Sequence, residues 1–337
     1  MRASALPFPL DERRLPARVV AGIDEAGLGP LLGPLTIGYS AFRVPDPDID
    51  LWRALDVDAA PAPRDGTDRM LVADSKIVFA RTPRGEARLE TVALAFLALR
   101  ASSRRPPASA RELLAGAPLD PEPWAVHLAP SLPLRVDLAE LDRRIAALAA
   151  AAARNGVEPC SAGVRVLPVG ELNASFARTD NKSRSHWDFS AAILRDLWRR
   201  YAAEGLDLLV DRHGGRMRYE ALLRETFPEA RIERISEERP RSEYAVIERN
   251  RDATPRWMRI AFAERAEGAS MAVALASCLA KYTREVCMHA FNEYFRKLDP
   301  SLRPTAGYVS DGRRWLTDAA RAIGRSGVAH SDLVRAR

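Results

Sequence analysis

The chain has 337 residues, of which 47% are hydrophobic, and a formal net charge of +6. This is enough for one large domain, or two small ones, with a sizeable core. The cysteines at 160, 278 and 287 are too few and too irregularly spaced for a disulfide framework or a zinc site. Residues 1–16 lack the apolar stretch of a secretory signal, and the Ala-rich run 145–153 is too short to span a bilayer. We therefore expect a reduced, cytoplasmic protein without a membrane partner.

The basic balance suits a polyanionic partner such as nucleic acid. Many arginine-rich proteins are basic for other reasons, so the charge alone leaves the partner open.

The N-terminal part predicts a flexible leader followed by a strand hairpin. Residues 1–17 are rich in Pro and Arg and form the leader. Residues 18–24 are a short apolar run stopped by polar residues, and 34–44 predict a second strand. The turn between them is short, which favours an antiparallel hairpin.

Residues 78–160 predict an insertion or helical subdomain. Within it, 84–102 has apolar residues at helical spacing. Residues 138–155 form a second helix, with Asp137 as its N-cap and Asn155-Gly156 at its end. Residues 104–123 carry several prolines and predict an irregular segment.

The remainder alternates strands with helices. We predict strands at 164–169, 206–210, 230–235, 244–249 and 257–264, and helices at 185–203, 218–227, 270–298 and 317–324. The order predicts an α/β fold with a mixed sheet flanked by helices. Residues 18–337 would form one catalytic domain that carries the insertion.

Four acidic residues fall where a predicted strand ends or a helix begins. Asp24 and Glu25 close the first strand, Asp211 closes the central apolar strand, and Glu267 precedes the long helix. Asp and Glu also cap helices throughout proteins, so each residue alone has an ordinary structural explanation. Together they predict a cleft in which cations offset the repulsion between carboxylates. Oxygen ligands suit Mg²⁺ or Mn²⁺, and two such ions about 3.5–4 Å apart can stabilise the attacking and leaving oxygens of a phosphodiester.

Several motifs resemble those of the type 2 ribonucleases H, ribonucleases HII and HIII. G-I-D-E-A-G-L-G-P-L-L-G-P at Gly22–Pro34 is similar to the first motif of that family. A-E-G-A-S-M-A-V-A-L-A-S-C-L-A-K-Y at Ala266–Tyr282 is similar to its fourth-acid helix. Shorter matches follow the family order: A-D-S-K at Ala73–Lys76, L-L-V-D at Leu208–Asp211 and G-Y at Gly307–Tyr308. Together the matches lie within residues 18–316, and the insertion matches nothing in the family.

The resemblance implies a ribonuclease H-like fold and endonucleolytic cleavage of the RNA strand in an RNA–DNA hybrid. It implies that Asp24 bridges two metal ions, that Glu25 and Asp211 complete their coordination, and that Glu267 binds the ion on the water or product side. Two departures stand out. Leu28 occupies the place of Arg in the HII branch and Thr in the HIII branch, and Glu267 is Asp in HII but Glu in HIII. The branch is therefore left open, as is recognition of a single embedded ribonucleotide.

Further candidates surround these motifs. The backbone amides of Gly27, Leu28 and Gly29 can approach a phosphate or a 2′-hydroxyl closely. Candidate nucleic-acid contacts, each with a structural alternative, are Lys76 oriented by Asp74, Asn181 and Lys182 before a helix, and Tyr308 as a stacking residue. The alternative for Lys76 is a surface loop. For Asn181 and Lys182 it is a solvated N-cap, and for Tyr308 it is core packing. His213, followed by two glycines, is a candidate proton shuttle or an ordinary loop residue.

Three functions remain in competition. The first is a metal-dependent ribonuclease H acting on RNA–DNA hybrid, and the second is a non-catalytic nucleic-acid-binding module on the same fold. The third is a related nuclease for another structured nucleic acid. The four acids disfavour the second function, because a phosphate-binding module gains nothing from clustered negative charge. The sequence predicts no particular protein partner.

Overall fold

A mixed sheet forms the centre of the molecule. The computed structural model describes residues 18–60, 69–100, 104–115, 123–127, 131–248 and 256–336. Its strands are β1 (Val19–Ala26), β2 (Leu35–Arg43), β3 (Glu158–Leu167), β4 (Leu206–Asp211), β5 (Ala230–Glu237), β6 (Arg241–Glu248) and β7 (Trp257–Ala263). In the described ranges they form one seven-stranded sheet in the order β3-β2-β1-β4-β7-β6-β5.

The hairpin predicted from the sequence is confirmed, since β1 and β2 pair antiparallel over their whole length. On its other side β1 pairs parallel with β4, and β4 pairs parallel with β7. Ile23 lies opposite Val210. The next residue of each strand, Asp24 and Asp211, therefore stands at the same edge of the sheet.

Helices cover both faces of the sheet. Their bounds are α1 (Leu51–Ala54), α2 (Ser75–Val78), α3 (Pro83–Arg100), α4 (Ala110–Leu113), α5 (Leu138–Arg154), α6 (Val169–Thr179), α7 (Lys182–Tyr201), α8 (Glu220–Thr226), α9 (Met271–Leu298), α10 (Val309–Asp318), α11 (Ala320–Ser326) and α12 (His330–Leu333). Short 3₁₀ turns lie at Pro123–His127, Ala202–Glu204 and Ala266–Gly268. The predicted α/β fold with a mixed sheet flanked by helices is confirmed. No helix in the described part of the chain has both the length and the apolarity to cross a membrane.

The long helix α9 lies directly on the first strands of the sheet. A side chain at Gly22 of β1 would collide with the backbone of Ala272 and Val273, so only glycine permits this close approach. Residues two apart on a strand share a face. The close contact at Gly22 therefore brings α9 next to the face on which Asp24 lies.

The helices of residues 78–160 pack against α9 rather than standing apart from the sheet. Phe96 of α3 and Leu141 of α5 share one core with Leu275 of α9. The buried Glu90 carboxylate of α3 accepts the Tyr282 hydroxyl of α9 at 2.9 Å. It also accepts the backbone N–H groups of Leu134, Arg135 and Val136.

Several element predictions were wrong in extent. The strand predicted at 164–169 begins at Glu158, and helix α6 after it was not predicted. Helices α10 and α11 replace the single helix predicted at 317–324. Helix α6 contains Gly170, Asn173 and Ser175, which are weak helix formers, so tertiary packing determines it. The predicted leader at 1–17 lies outside the described residues.

Candidate active site

The four acids singled out from the sequence line one cavity of about 470 Å³, here called the acid cavity. Asp24 and Glu25 reach it from the end of β1, and Asp211 reaches it from the end of β4. Glu267 reaches it from the 3₁₀ turn Ala266–Gly268. The Ala266 N–H donates to the Asp211 carboxylate at 3.2 Å, which ties this turn to β4.

Burial and mutual repulsion disfavour the charged form of these acids. Burial, then the charges of Asp211 and Glu267, raise the pKa of Asp24 to about 8, although the Glu25 N–H, donating to Asp24 at 2.7 Å, opposes this. Burial and the Asp24 charge raise the pKa of Glu25 well above its usual value. Burial is also the first cause of the raised pKa of Asp211 and of Glu267. Ionising these acids together is therefore costly, and a cation bound among them would lower that cost.

Basic side chains also line the acid cavity, namely Lys76, Arg81, Arg265 and Lys281. Lys76 is 88% exposed and lies 3.8 Å from Asp74. Its charge lowers the pKa values of Glu25, Asp211 and Glu267 without outweighing burial. Asp74 caps α2 and accepts the Lys76 N–H at 2.9 Å. The structure thus places Lys76 and Asp74 in the same cavity as the acids.

The donor set of the acid cavity fits a hard divalent cation in its chemistry. The predicted ligands are carboxylates whose repulsion a cation would relieve, and oxygen ligands suit Mg²⁺ or Mn²⁺. Within the described ranges, however, no three His, Cys, Asp or Glu side chains are arranged as a ready metal-binding group. The acids share a cavity but are not gathered around one point.

The turn from Gly27 to Gly33 forms the next part of the site. Gly27 has a φ of +89°, and a side chain there would collide with the Arg284 guanidinium. A Cβ at Gly29 would meet nothing within 4 Å, so the backbone at this position is open to a ligand. Leu28 between them is 46% exposed. This turn therefore presents main chain, and an apolar side chain, to the surface.

Two buried arginines hold this turn. Arg284 of α9 donates to the Leu32 carbonyl at 3.2 Å. Arg335, from the C-terminal segment, donates to the Gly33 carbonyl at 2.6 Å and also to the Gly27 carbonyl. The Arg335 N–H donates to the Leu31 carbonyl at 3.0 Å. Sequence reasoning missed both arginines, since neither belongs to a motif that marks such a contact.

Tyr308 lies at the mouth of the acid cavity. It is 46% exposed, which excludes the core-packing alternative for this residue. The Arg284 guanidinium carbon lies 5.7 Å from the centre of the Tyr308 ring. The ring is therefore available for stacking.

Asn181, Lys182 and His213 do not line the acid cavity. Asn181 caps α7 by accepting the Arg184 N–H at 3.0 Å, which is the N-cap alternative considered from the sequence. Lys182 donates to the Ala336 carbonyl at 2.9 Å. His213 is buried and, with Lys182, lines a second cavity on the other side of the turn.

His186 of α7 is the histidine that contacts an acid, and sequence reasoning missed it. Its Nε2 lies 3.8 Å from the Glu25 carboxylate, and its ring lies 4.2 Å from the ring of His213. Burial lowers the pKa of His186 to about 4, so at neutral pH this contact is not an ion pair. A lone histidine on a helix rich in apolar residues gives no sequence signal for this position.

No protein-family model and no curated protein matches the chain, whereas solved structures do. It is similar to ribonuclease HII from Archaeoglobus fulgidus, solved in complex with PCNA, with a TM-score of 0.41, 16% identity and coverage of 95% of this chain and 94% of that chain. It is similar to ribonuclease H2 from Pyrococcus horikoshii OT3, with a TM-score of 0.43, 16% identity and coverage of 94% and 92%. A third similar structure is Bst-RNase HIII in complex with Mn²⁺, with a TM-score of 0.41, 13% identity and coverage of 99% and 71%. All three carry the names of the family that the sequence motifs resemble, and all three similarities are remote.

Proposed function

We propose that this protein is a metal-dependent endonuclease that hydrolyses the RNA strand of RNA–DNA hybrids. The observation that carries the proposal is the convergence of Asp24, Glu25, Asp211 and Glu267 on one cavity. Asp24 and Glu267 lie 243 positions apart in the sequence. The four residues are also the ones that the motif resemblance selects. Ordinary strand-end and helix-cap roles do not require them to meet.

The same four carboxylates would hold Mg²⁺ or Mn²⁺. A bound divalent cation makes a water molecule more acidic and screens the charge that develops on the leaving oxygen. The raised pKa values of the acids support this assignment, because a cation would offset the cost of holding several negative charges in a buried place. Because the described acids are not arranged around one point, their side chains would have to move when a metal ion binds.

The residues around the acids would bind the nucleic acid. Lys76 is exposed at the cavity and would attract a phosphate, while Asp74 fixes the backbone from which Lys76 projects. The open main chain of Leu28 and Gly29 would approach the sugar-phosphate backbone, and Tyr308 would stack on a sugar or base. Because Leu28 offers no charged group, recognition in this turn would depend on backbone amides.

Incubation of the purified protein with end-labelled RNA–DNA hybrid, with Mg²⁺ and separately with Mn²⁺, tests the proposal. We expect cleavage of the RNA strand that Asp24→Asn abolishes. Asp142→Asn is the matched control, because it removes the same charge from an exposed position on α5 away from the acid cavity. Cleavage that is absent, or that is equal in Asp24→Asn and the wild type, contradicts the proposal.

A non-catalytic nucleic-acid-binding module is the second candidate. One observation favours it: among the described residues the acids do not form a ready metal-binding group. Hybrid binding that is unchanged by divalent metal and by Asp24→Asn, without cleavage, would support this candidate. Competition among hybrid, duplex RNA and branched DNA would identify a nuclease with a different structured substrate.

A further inference from the structure

A second cavity lies on the other side of the Gly27–Gly33 turn. It has a volume of about 640 Å³ and is here called the cation cavity. Its walls come from the turn, from α6 and α7, from the loop after β4, and from the C-terminal segment. The volume is within the range of pockets that hold small molecules, roughly 300–1,000 Å³.

The charged residues that line this cavity are all basic. Lys182, Arg216 and Arg335 contribute their side chains, and no Asp or Glu is among the described residues of its wall. Two of them have neutral hydrogen-bond partners: Arg216 donates to the Ser183 hydroxyl at 2.7 Å, and Lys182 donates to the Ala336 carbonyl at 2.9 Å. Neutral oxygens orient these cations but do not cancel their charge. An anion in the cavity would do so.

Buried nitrogen atoms without partners lie in the same wall. His213 Nδ1, His186 Nε2 and Arg216 Nε have no hydrogen-bond partner. The side chains of both histidines are nine-tenths or more buried. His186 Nε2 faces Glu25, and all three atoms are enclosed with almost no accessible surface. The groups that a ligand would meet in this wall are therefore the side chains of Lys182 and Arg216.

Part of the lining of the cation cavity is apolar. Leu172 and Phe176 of α6 lie there, together with Leu28 of the turn and Val309 of α10. Phe176 is half-buried, and Lys182 lies above its ring at 5.3 Å. A ligand that fits both the basic and the apolar part of this lining carries an anionic group at one end and a flat or apolar group at the other. A nucleotide has this composition, with its phosphate at one end and its base at the other.

We propose that the cation cavity binds a single nucleotide, with its phosphate at Lys182 and Arg216 and its base against Leu172 and Phe176. The same chemistry has two sources. One is a free mononucleotide. The other is a nucleotide of a bound strand that swings into the cavity, and this source alone rests on the proposed function. The turn that bounds the cation cavity also bounds the acid cavity, so a strand can reach both.

Titration of the whole protein with adenosine 5′-monophosphate, without metal or hybrid, tests binding directly. Calorimetry or nuclear magnetic resonance would measure the dissociation constant. We expect inorganic phosphate to compete with the nucleotide, and adenosine, which lacks the phosphate, to bind at least tenfold more weakly. Lys182→Gln and Arg216→Gln should each weaken nucleotide binding about tenfold or more, because each removes a charge-assisted contact. Arg111→Gln, on the exposed surface of α4, is the matched control and should change nothing.

Hybrid binding by the same variants identifies the source. If the strand supplies the nucleotide, Arg216→Gln weakens hybrid binding and the mononucleotide displaces the hybrid. If the ligand is free, hybrid binding is unchanged while mononucleotide binding falls. The proposal is overturned if Lys182→Gln and Arg216→Gln weaken neither mononucleotide binding nor hybrid binding, while circular dichroism shows that both variants are folded. Since the first titration involves no cleavage, a failure of the nuclease proposal leaves its outcome intact.

Discussion

The acid cavity and the cation cavity lie on opposite sides of one turn and differ in the charge of the side chains that line them. In the acid cavity, buried carboxylates repel one another, and the basic residues Lys76, Arg81 and Arg265 are exposed. In the cation cavity the charged residues are all basic, among the described residues of its wall. The acid cavity therefore combines acids with basic residues, whereas the charged lining of the cation cavity is basic throughout its described residues. A ligand that carries both a metal ion and a phosphate would satisfy the two together.

The turn between the two cavities is held in place by buried arginines. Arg284 and Arg335 hold its carbonyls from two sides, and both are buried. Burial and the Arg284 charge lower the pKa of Arg335 to about 9, and the carbonyls of Gly27 and Gly33 stabilise its charged form. The backbone is thus fixed by hydrogen bonds rather than by charge pairs.

The substitution Asp24→Asn is expected to have the largest effect and to act in opposite directions on activity and stability. Hydrolysis of the hybrid should fall by about two orders of magnitude or more, because the change removes one of the proposed metal ligands. At pH 8 or above the unfolding midpoint should rise by about 2 °C or more, because the raised pKa of Asp24 means that its ionisation destabilises the folded wild type and Asn cannot ionise. Kinetic assays and thermal unfolding by circular dichroism measure the two effects. A fall in both activity and stability, with Asp142→Asn unchanged, would mean that Asp24 is structural.

The variant Arg335→Met tests whether the C-terminal segment holds the turn. The carbonyls of Gly27 and Gly33 lose a buried donor, so the free energy of unfolding should fall by about 2 kcal/mol. Urea denaturation gives this value, and hybrid binding should weaken in parallel because the turn loosens. Arg111→Met serves as the surface control. Loss of stability without any change in hybrid binding would separate the turn from nucleic-acid recognition.

Stabilisation by ions distinguishes the two cavities directly. A divalent cation at 100 times its dissociation constant should bind in the acid cavity and stabilise the wild type by about 2.7 kcal/mol. Inorganic phosphate should also stabilise the wild type, by binding in the cation cavity. Differential scanning fluorimetry measures both. We expect Asp24→Asn to abolish the response to Mn²⁺ but not to phosphate, and Arg216→Gln to do the reverse. If one substitution abolishes both responses, the cavities are not independent.

The smallest effect is expected for Lys76→Gln. Lys76 is 88% exposed, so the free energy of unfolding should change by less than about 0.5 kcal/mol. Hybrid binding should weaken and lose about one unit of its salt dependence, because one phosphate contact is removed. Fluorescence polarisation at several salt concentrations measures this slope. An unchanged slope would place Lys76 outside the nucleic-acid contact, as a surface-loop residue.

Local sequence patterns identified most of the framework that carries the acid cavity. The apolar run before Asp24 predicted β1, and the one before Asp211 predicted β4, since buried strands are short and apolar. The N-cap Asp137 and the closing Asn155 of α5 were also correct, because capping depends on neighbouring residues. The parallel pairing of β1 with β4, which puts Asp24 and Asp211 at one edge of the sheet, came from the structure.

The sequence by itself therefore determined the α/β class, the hairpin and the long helix, and it selected the four acids that line one cavity. It could do so because periodicity, caps and motifs are properties of neighbouring residues. Only the tertiary structure placed His186 beside Glu25 and Arg335 against the turn. Arg335 lies 302 positions from Gly33, and no local pattern reports a contact across that separation. The tertiary structure also put Lys182 and His213 in the cation cavity rather than with the acids. A cavity is formed by elements that pack together, so its lining is decided by packing and not by any segment alone.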